Sequence, residues 1–362
     1  MNLHLLLTCL TLLLYSCATA ADYTLYHKAI NKAERQIFVS NQIDSGIQTY
    51  LATFKAYDFV YLQDCITAIQ IALHAKNEVG FKAFVDKATQ NGLMPRHLAT
   101  FRYIAKHPYY AKHKSWIDSV YNINRPRYLK RIDTALLKQV TYLYANDQMQ
   151  KNQRKDGSET IFTNNRRYKL HINQIIGELK ELTYAKGFPS DKLIGIYQKD
   201  IMKELGLKSP DLIDYYKNNK LGNPYKINQS QFDLEEWMFA SSYLPVMMHH
   251  YDNAFLLFDT SYYKQQIALG NIHPKDVAAI HDFEFDTGSK PPIPAQDAMY
   301  FGLHDRLIGT GERIPLKVPD SQVNYWRAKY SIAPVEQDRA KWDFMRQHKM
   351  FFAFGAMNGD RM

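Results

Sequence analysis

Histidine and carboxylate side chains in the last third of the chain are the residues best suited to chemistry. They are His249, His250, Asp252, His281, Asp282, Glu284, Asp286 and His304. Imidazole and carboxylate groups that two helices direct into one cleft can hold a divalent metal or act as an acid and a base. His249, His281 and Asp282 are therefore the candidate catalytic residues and the candidate metal ligands of a metal-assisted hydrolase.

The spacing of these residues supports a simpler interpretation as well. The sequence around them contains neither His-x-x-x-His nor Glu-x-x-His, which would place two ligands on one helical face. On a helix, His249 and His250 point about 100° apart, so at most one of them serves a given site. Structural polar contacts are thus the alternative prediction for this group. The residues leave open whether the protein is an enzyme, and they identify no cofactor.

A series of helices must position these side chains. Apolar periodicity and stop signals predict helices over 134–155, 165–184, 233–258, 260–269, 274–286 and 321–332. The helix that carries His249 is expected to begin at the capping residue Asp233 and to bend at Pro245. Residues 208–230 are predicted to form a long loop. Because no alternating strand pattern of any length occurs, the predicted fold class is all-α.

The region 23–92 contains an internal repeat. Residues 45–51 align with residues 79–85 at an offset of 34, which is the period of tetratricopeptide repeats. In such repeats a small residue lies where two helices cross closely, and an aromatic residue four positions later fills the gap. The matching pairs are Gly46 with Tyr50 and Gly80 with Phe84, while Ala33 and Ala68 take comparable positions on the preceding helices. The sequence predicts two tetratricopeptide-like helical hairpins and a third partial unit.

Arg125-Pro126-Arg127 marks the expected boundary between two parts of the chain, because proline stops a helix and restricts the residue before it. The predicted organisation is a signal peptide over 1–20, tetratricopeptide-like hairpins over 22–125, an irregular helical domain over 130–340 and a tail over 341–362. A short repeat array cannot bury its own faces, so it is expected to pack on the domain that follows.

The first twenty residues are typical of an export signal. An apolar run over 5–14 is too short for a transmembrane helix and is followed at once by small residues. Ala18-Thr19-Ala20 would release a soluble protein, whereas Leu14-Tyr15-Ser16-Cys17 resembles a bacterial lipobox in which Cys17 is lipidated. Both alternatives stay open, and both place the protein in the periplasm, in the outer membrane or outside the cell. Cys65 then remains as a thiol, which is expected to be a buried core residue.

The net charge of +9 is concentrated in the first part of the chain. Residues 22–133 carry 16 Lys and Arg against 9 Asp and Glu, and residues 134–362 carry 29 against 27. This excess is either a solvated helical surface or an attraction to anionic lipids, envelope polysaccharide or an acidic partner. Nucleic acid is not an expected partner, because an exported protein seldom meets it and no base-reading motif is present.

Several short motifs of the second part occur in a recognisable order. They are Asp147-Gln148, the segment from Gly187 to Gly195, His249-His250, Gly270-Asn271-Ile272-His273-Pro274, His281-Asp282, Tyr300-Phe301-Gly302, and Asp320 through Arg327-Ala328 to Pro334. In this order they resemble a bacterial family of secreted proteins that is known only as a domain of unknown function and often follows tetratricopeptide-like repeats. The family tends to have Asp-Arg at Asp282-Phe283 and Tyr-Gly-Thr-Gln at the turn after Tyr300. The resemblance implies a fold and a set of positions, but no reaction.

The function expected from the sequence is that of an exported, non-enzymatic protein of the bacterial cell envelope. A concave helical array binds a partner by presenting side chains on a rigid stack. A protein or peptide in the groove of the repeats is therefore the predicted partner, with membrane anchoring through Cys17 as an additional option. The alternative function is the metal-assisted hydrolase with His249, His281 and Asp282. A groove filled by the protein's own C-terminal tail would count against the binding function.

Overall fold

The computed structural model describes residues 21–153, 161–208, 243–251, 254–286, 299–303 and 318–354. Over these residues the chain is helical and contains no strand, which confirms the all-α prediction. The α-helices in chain order are α1 (Tyr23–Glu34), α2 (Ile43–Ala56), α3 (Leu62–His74), α4 (Glu78–Gln90), α5 (Pro95–Leu98), α6 (Arg102–Ala105), α7 (Pro108–Lys112), α8 (Lys114–Leu129), α9 (Thr134–Gln153), α10 (Ile161–Lys186), α11 (Gln198–Glu204), α12 (Tyr243–His249), α13 (Thr260–Ala268), α14 (Pro274–Asp286), α15 (Asp320–Lys329) and α16 (Val335–His348). Among these described helices, none combines the length and apolar character needed to cross a bilayer.

The first four helices pack as two neighbouring pairs, α1 with α2 and α3 with α4. Gly46 permits the close approach in the first pair, since a Cβ at this position would lie 2.9 Å from the Ala33 carbonyl oxygen. The rings of Tyr50 and Phe84 are both fully buried and meet at 6.1 Å between the two pairs. These contacts agree locally with the predicted repeat, while the tetratricopeptide assignment itself stays a prediction.

Helix α3 is the central element of this region, because every residue from Leu62 to Leu73 is buried. Its apolar residues occur on more than one face, which is typical of a helix covered on all sides. Cys65 is among them, as predicted, and burial raises the pKa of its thiol well above the ordinary value. The thiolate, which is the reactive form, is therefore disfavoured.

Helix α8 does not stop at the predicted boundary. It runs through Pro126 and ends at Leu129, after which Asp133 begins the approach to α9. Proline lacks the amide that an interior helical position donates, but its carbonyl still accepts the closing hydrogen bond from the Lys130 amide at 3.3 Å. With only three residues left to the helix end, the chain tolerates Pro126 inside the last turn.

Helices α9 and α10 pack against each other, and α10 closes at Gly187 and Phe188 as the stop signal predicts. The helix predicted to reach Phe258 ends much earlier. Its described part stops at His249, and the amides of His250 and Tyr251 turn back to carbonyls three residues earlier. A separate 3₁₀ turn over Ala254–Leu257 follows. The predicted cap at Asp233 and the predicted loop over 208–230 lie outside the described residues, apart from the start of that loop.

The C-terminal helix returns to the start of the chain. Helix α16 packs on the π-helical turn Arg35–Val39 that continues α1, and it includes residues 341–348 of the predicted tail. Phe352 and Phe354 beyond it are also buried. The two ends of the described chain therefore share one hydrophobic core.

Candidate functional site

The predicted pair His281 and Asp282 lies buried near the end of the described part of α14. The Nδ1 atom of His281 is 3.0 Å from Oδ1 of Asp282. The same carboxylate accepts hydrogen bonds from the backbone amides of Phe301 at 3.0 Å and Leu303 at 2.9 Å. Asp282 thus fixes the turn around Gly302 against α14, a role that uses its acceptor capacity for structure.

The two adjacent histidines at the end of α12, His249 in the helix and His250 just after it, have different partners. The ring of His249 stacks on Phe283 with centroids 3.9 Å apart and planes 11° apart. The Nδ1 atom of His250 instead lies 2.8 Å from Oδ2 of Asp147 on α9. The structure therefore joins His281 to Asp282 and places His249 against the residue that follows Asp282.

The structure gives no side-chain positions for the remaining members of the predicted group. Asp252 and His304 lie outside the described residues, and Glu284 and Asp286 belong to α14 without described side chains. In the part of the chain whose side chains are described, no three His, Cys, Asp or Glu residues lie close enough together to hold a metal ion. The metal-assisted hydrolase stays a prediction.

A cluster of buried charged residues, which we call the ionic core, lies between the N-terminal and C-terminal helices. Its members are Glu34, Asp64, Lys275, Arg327, Asp338 and Lys341, each at most 7% exposed. Lys341 pairs with Glu34, a residue more than three hundred positions earlier in the chain. Asp338 accepts hydrogen bonds from Lys275 at 3.1 Å and from Arg327 at 2.7 Å. Ion pairs thus connect α1 to α16 and α14 to α16.

Burial also perturbs the titration of groups around the ionic core. It raises the pKa of Asp64 to about 6, although the hydrogen bond from the Tyr26 hydroxyl at 2.6 Å opposes the rise. Burial lowers the pKa of His27 to about 3, with a further contribution from the charge of Lys275, and it lowers the pKa of His273 as well. The two imidazole rings, 4.8 Å apart, are therefore neutral at pH 7.

A small cleft opens among these groups. Its lining includes His27, Glu34, Asp64, His273 and Lys341, and its space amounts to about 340 Å³ when the part open to solvent is included. The enclosed part has room for only a few atoms. Glu34 and Lys341 of its wall bond to each other, and Lys275 and Asp64 bond to Asp338 and Tyr26. We interpret the ionic core as a polar connection between the two ends of the chain, without space for a substrate.

The C-terminal segment covers α1 and α3. The side chain of Gln70 on α3 bonds to both the carbonyl and the amide of Phe351. On α1, Asn31 donates to the Ser331 carbonyl at 2.8 Å, and its own carbonyl accepts from Gln337 at 2.9 Å. The C-terminal segment thus covers part of α1 and α3, and partner binding in the groove of the repeats stays a prediction.

Five exposed cations of the N-terminal part and one that follows the C-terminal helix lie near the ends of α3, α6, α7, α8 and α16, and we call this region the basic end. It comprises the exposed residues Lys76, Arg102, Lys106, Lys112, Lys114 and Lys349. Tyr109 on α7 donates a hydrogen bond to the Lys76 carbonyl at 2.9 Å, and the rings of His74 and His348 lie 4.4 Å apart. The ends of α3, α7 and α16 therefore meet here.

Few carboxylates balance the basic end. Glu78, at the start of α4, binds Lys112 at 2.8 Å and His113 at 2.7 Å. Asp118 and Asp343 are exposed further along α8 and α16. From residue 95 to residue 131 the sequence has nine Lys and Arg and a single acid, Asp118. Four of these nine cations belong to the basic end, whereas Arg96 and Arg125 pair with Asp200 and Glu204.

Sequence reasoning missed the ionic core, but one signal for it was present. His27 and Glu34 lie seven residues apart on the buried face of α1, together with Tyr23 and Ile30. Polar residues at helical spacing within an apolar stripe predict buried partners, because a buried charge must be paired. Nothing local identifies Lys341 as the partner. For the basic end, the charge count over 95–131 indicates a positive segment but does not identify Lys76 and Lys349 as its neighbours.

Comparisons with protein families, with curated proteins and with solved structures find no match for this chain. The many-helix, all-α architecture is compatible with a helical-repeat fold.

Proposed function

We propose that this is an exported, tetratricopeptide-like protein of the bacterial cell envelope that acts by binding a negatively charged partner. The observation that carries the proposal is the basic end, where six exposed cations lie near the ends of neighbouring helices and Glu78 pairs with one of them, Lys112. Like charges held together at a surface raise the local concentration of anionic partners. The covered faces of α1 and α3 support binding at this outer surface instead of in a groove.

The N-terminal sequence and the family resemblance support the cellular location. The apolar run over 5–14, with Ala18-Thr19-Ala20 and Cys17 behind it, favours export in either processed form. The order of motifs over 140–338 favours a secreted bacterial protein. Replacing Cys17 with Ala separates the two forms, since only a lipoprotein would move from the membrane fraction to the soluble envelope fraction.

The experiment that tests the function is site-specific photocrosslinking in living cells. A crosslinking amino acid at Lys106, in the basic end, is compared with one at Lys28, an exposed lysine on α1. We expect a crosslinked product at Lys106 that weakens at high salt, and none at Lys28. Equal crosslinked products at both positions would contradict the proposal. A protease-protection assay that finds the protein in the cytosol would contradict it as well.

A further inference from the structure

We infer that the basic end binds the protein to an anionic lipid bilayer. This inference rests on the proposed function and names the chemistry of the partner, which is a surface of phosphate-bearing headgroups. Basic residues near such a surface attract it without requiring a fixed geometry, and each contributes separately. The alternative, an acidic protein, becomes an outcome of the test.

Two cations of the basic end, Arg102 and Lys114, are not explained by the stability of the helices that carry them. Lys114 is the first residue of α8, and no acidic residue lies in the first turn of α6, α7 or α8. A helix N-terminus is partially positive, so cations there are unfavourable and acids are preferred. Arg102 is likewise the first residue of α6, whereas Lys76, Lys106, Lys112 and Lys349 lie at or just after the C-termini of α3, α6, α7 and α16 and match the helix dipole. The dipole therefore leaves Arg102 and Lys114 to be explained by another role.

Aromatic and apolar side chains accompany the cations. Tyr109, Tyr110 and Trp116 are half-buried, with Lys112 5.9 Å from the Tyr109 ring and Lys82 5.5 Å from the Trp116 ring. Tyrosine and tryptophan are enriched at membrane interfaces, where one end of the ring is apolar and the other is wet. Val79, beside Glu78, is 77% exposed and adds an apolar contact in the same region.

The type of cation also favours a lipid surface over a specific peptide. Five of the six members of the basic end are lysine and one is arginine. Lysine presents a mobile point charge, whereas recognition of a single carboxylate or phosphate in a fixed site typically uses the planar fork of arginine. A surface with many mobile phosphates suits the first chemistry. A lipid at Cys17 would supply a second contact of the kind that stable anchoring requires.

The test is sedimentation of the exported protein with lipid vesicles, using Cys17→Ala throughout so that no acyl chain contributes. One set of vesicles contains equal parts of phosphatidylglycerol and phosphatidylcholine, and the other contains phosphatidylcholine alone. The variant Lys76→Glu/Lys106→Glu/Lys114→Glu is compared with Lys28→Glu/Lys32→Glu/Lys55→Glu. The control changes three other exposed lysines of the N-terminal part, so the two proteins have the same net charge.

We expect the protein to sediment with the anionic vesicles only, and less at high salt. The basic-end variant should bind at least about ten-fold more weakly, while the control stays close to the parent. Circular dichroism checks that both variants are folded.

If the protein did not bind anionic vesicles, or if both variants lost binding equally, the inference would be overturned. Tighter binding to polyglutamate than to the vesicles would overturn it in favour of an acidic protein. A salt-sensitive crosslink at Lys106 without vesicle binding would retain the proposed function and reject only the bilayer.

Discussion

The ionic core and the basic end use the same residue types in opposite ways. In the ionic core Lys341, Lys275 and Arg327 are buried, and each has a carboxylate partner. At the basic end the lysines are exposed, and Glu78 is the acid that binds one of them. A cation therefore serves the fold in the first region and is available to a partner in the second.

The difference follows from what water does for an ion. A buried charge without a partner costs several kcal/mol, so the fold supplies an opposite charge at short distance. An exposed charge keeps its hydration, and its ion pairs add little to stability. The same positive charge can thus be essential to folding at Lys341 and dispensable at Lys106. Substitutions that remove single charges test this comparison directly.

The largest effect is expected for Lys341→Met. The substitution keeps much of the side-chain volume but leaves Glu34 buried without its cation, which should cost about 3–5 kcal/mol of unfolding free energy. Urea unfolding measures the change. The double variant Glu34→Gln/Lys341→Met removes both charges and should recover a large part of the loss. A loss below about 1 kcal/mol for the single variant would show that this buried pair contributes no more to stability than an exposed ion pair does.

A buried cation within the basic segment should behave like the ionic core. Arg125 on α8 makes two hydrogen bonds of 2.9 Å to the Glu204 carboxylate, and its side chain is 6% exposed. Arg125→Gln should therefore lower the unfolding free energy by about 2 kcal/mol. Lys112→Gln, which removes an exposed partner of Glu78, is the matched control and should leave the melting temperature nearly unchanged. Equal losses of stability in the two variants would show that buried and exposed cations of this segment do not differ in their contribution to folding.

The histidines beside the ionic core should make the protein sensitive to acid. His27 has an ordinary pKa when unfolded but a pKa of about 3 in the folded state. As the pH falls from about 6.5 toward 3, the unfolded chain binds the proton first, so stability falls by at most about 1.4 kcal/mol per pH unit from this group. His27→Phe should reduce the slope of unfolding free energy against pH over this range.

Asp64 gives that experiment an internal check of sign. Its folded pKa of about 6 is raised, so the folded protein takes up this proton first, and stability gains from Asp64 as the pH falls below 6. Asp64→Asn should therefore make the loss of stability in acid steeper, opposite to His27→Phe. If both variants changed the slope in the same direction, the assignment of these groups would be wrong.

Local patterns in the sequence predicted several helices, but they predicted neither α16 nor the contacts between distant segments. The helices near 260–268 and 274–286 follow from periodicity and from Pro274, because both signals act within a few residues. The errors at Pro126 and Phe258 concern helix ends, which tertiary contacts move. The pairing of Glu34 with Lys341 joins residues at the two ends of the described chain, and no local pattern encodes it.

The candidate site was predictable to a similar extent. The adjacency of His281 and Asp282 could be seen in the sequence, whereas the different partners of His249 and His250 could not, because the helix ends between these two residues. The use of Asp282 to hold the amides of Phe301 and Leu303 could not be predicted, because it depends on how the turn packs on α14. Residue types therefore identified polar candidates, while their roles required the tertiary structure.

The smallest effect on folding is expected at the basic end. Replacing Lys76, Lys106 and Lys114 together with Gln removes three exposed charges that no described carboxylate binds. Substitutions at such exposed positions usually change stability by at most about 0.5 kcal/mol each, and reduced repulsion among the remaining cations acts in the stabilising direction. Urea unfolding should therefore give a free energy equal to or slightly above that of the parent. A clear loss of stability would show that these lysines serve the fold, and it would remove the contrast with the ionic core on which binding at the basic end depends.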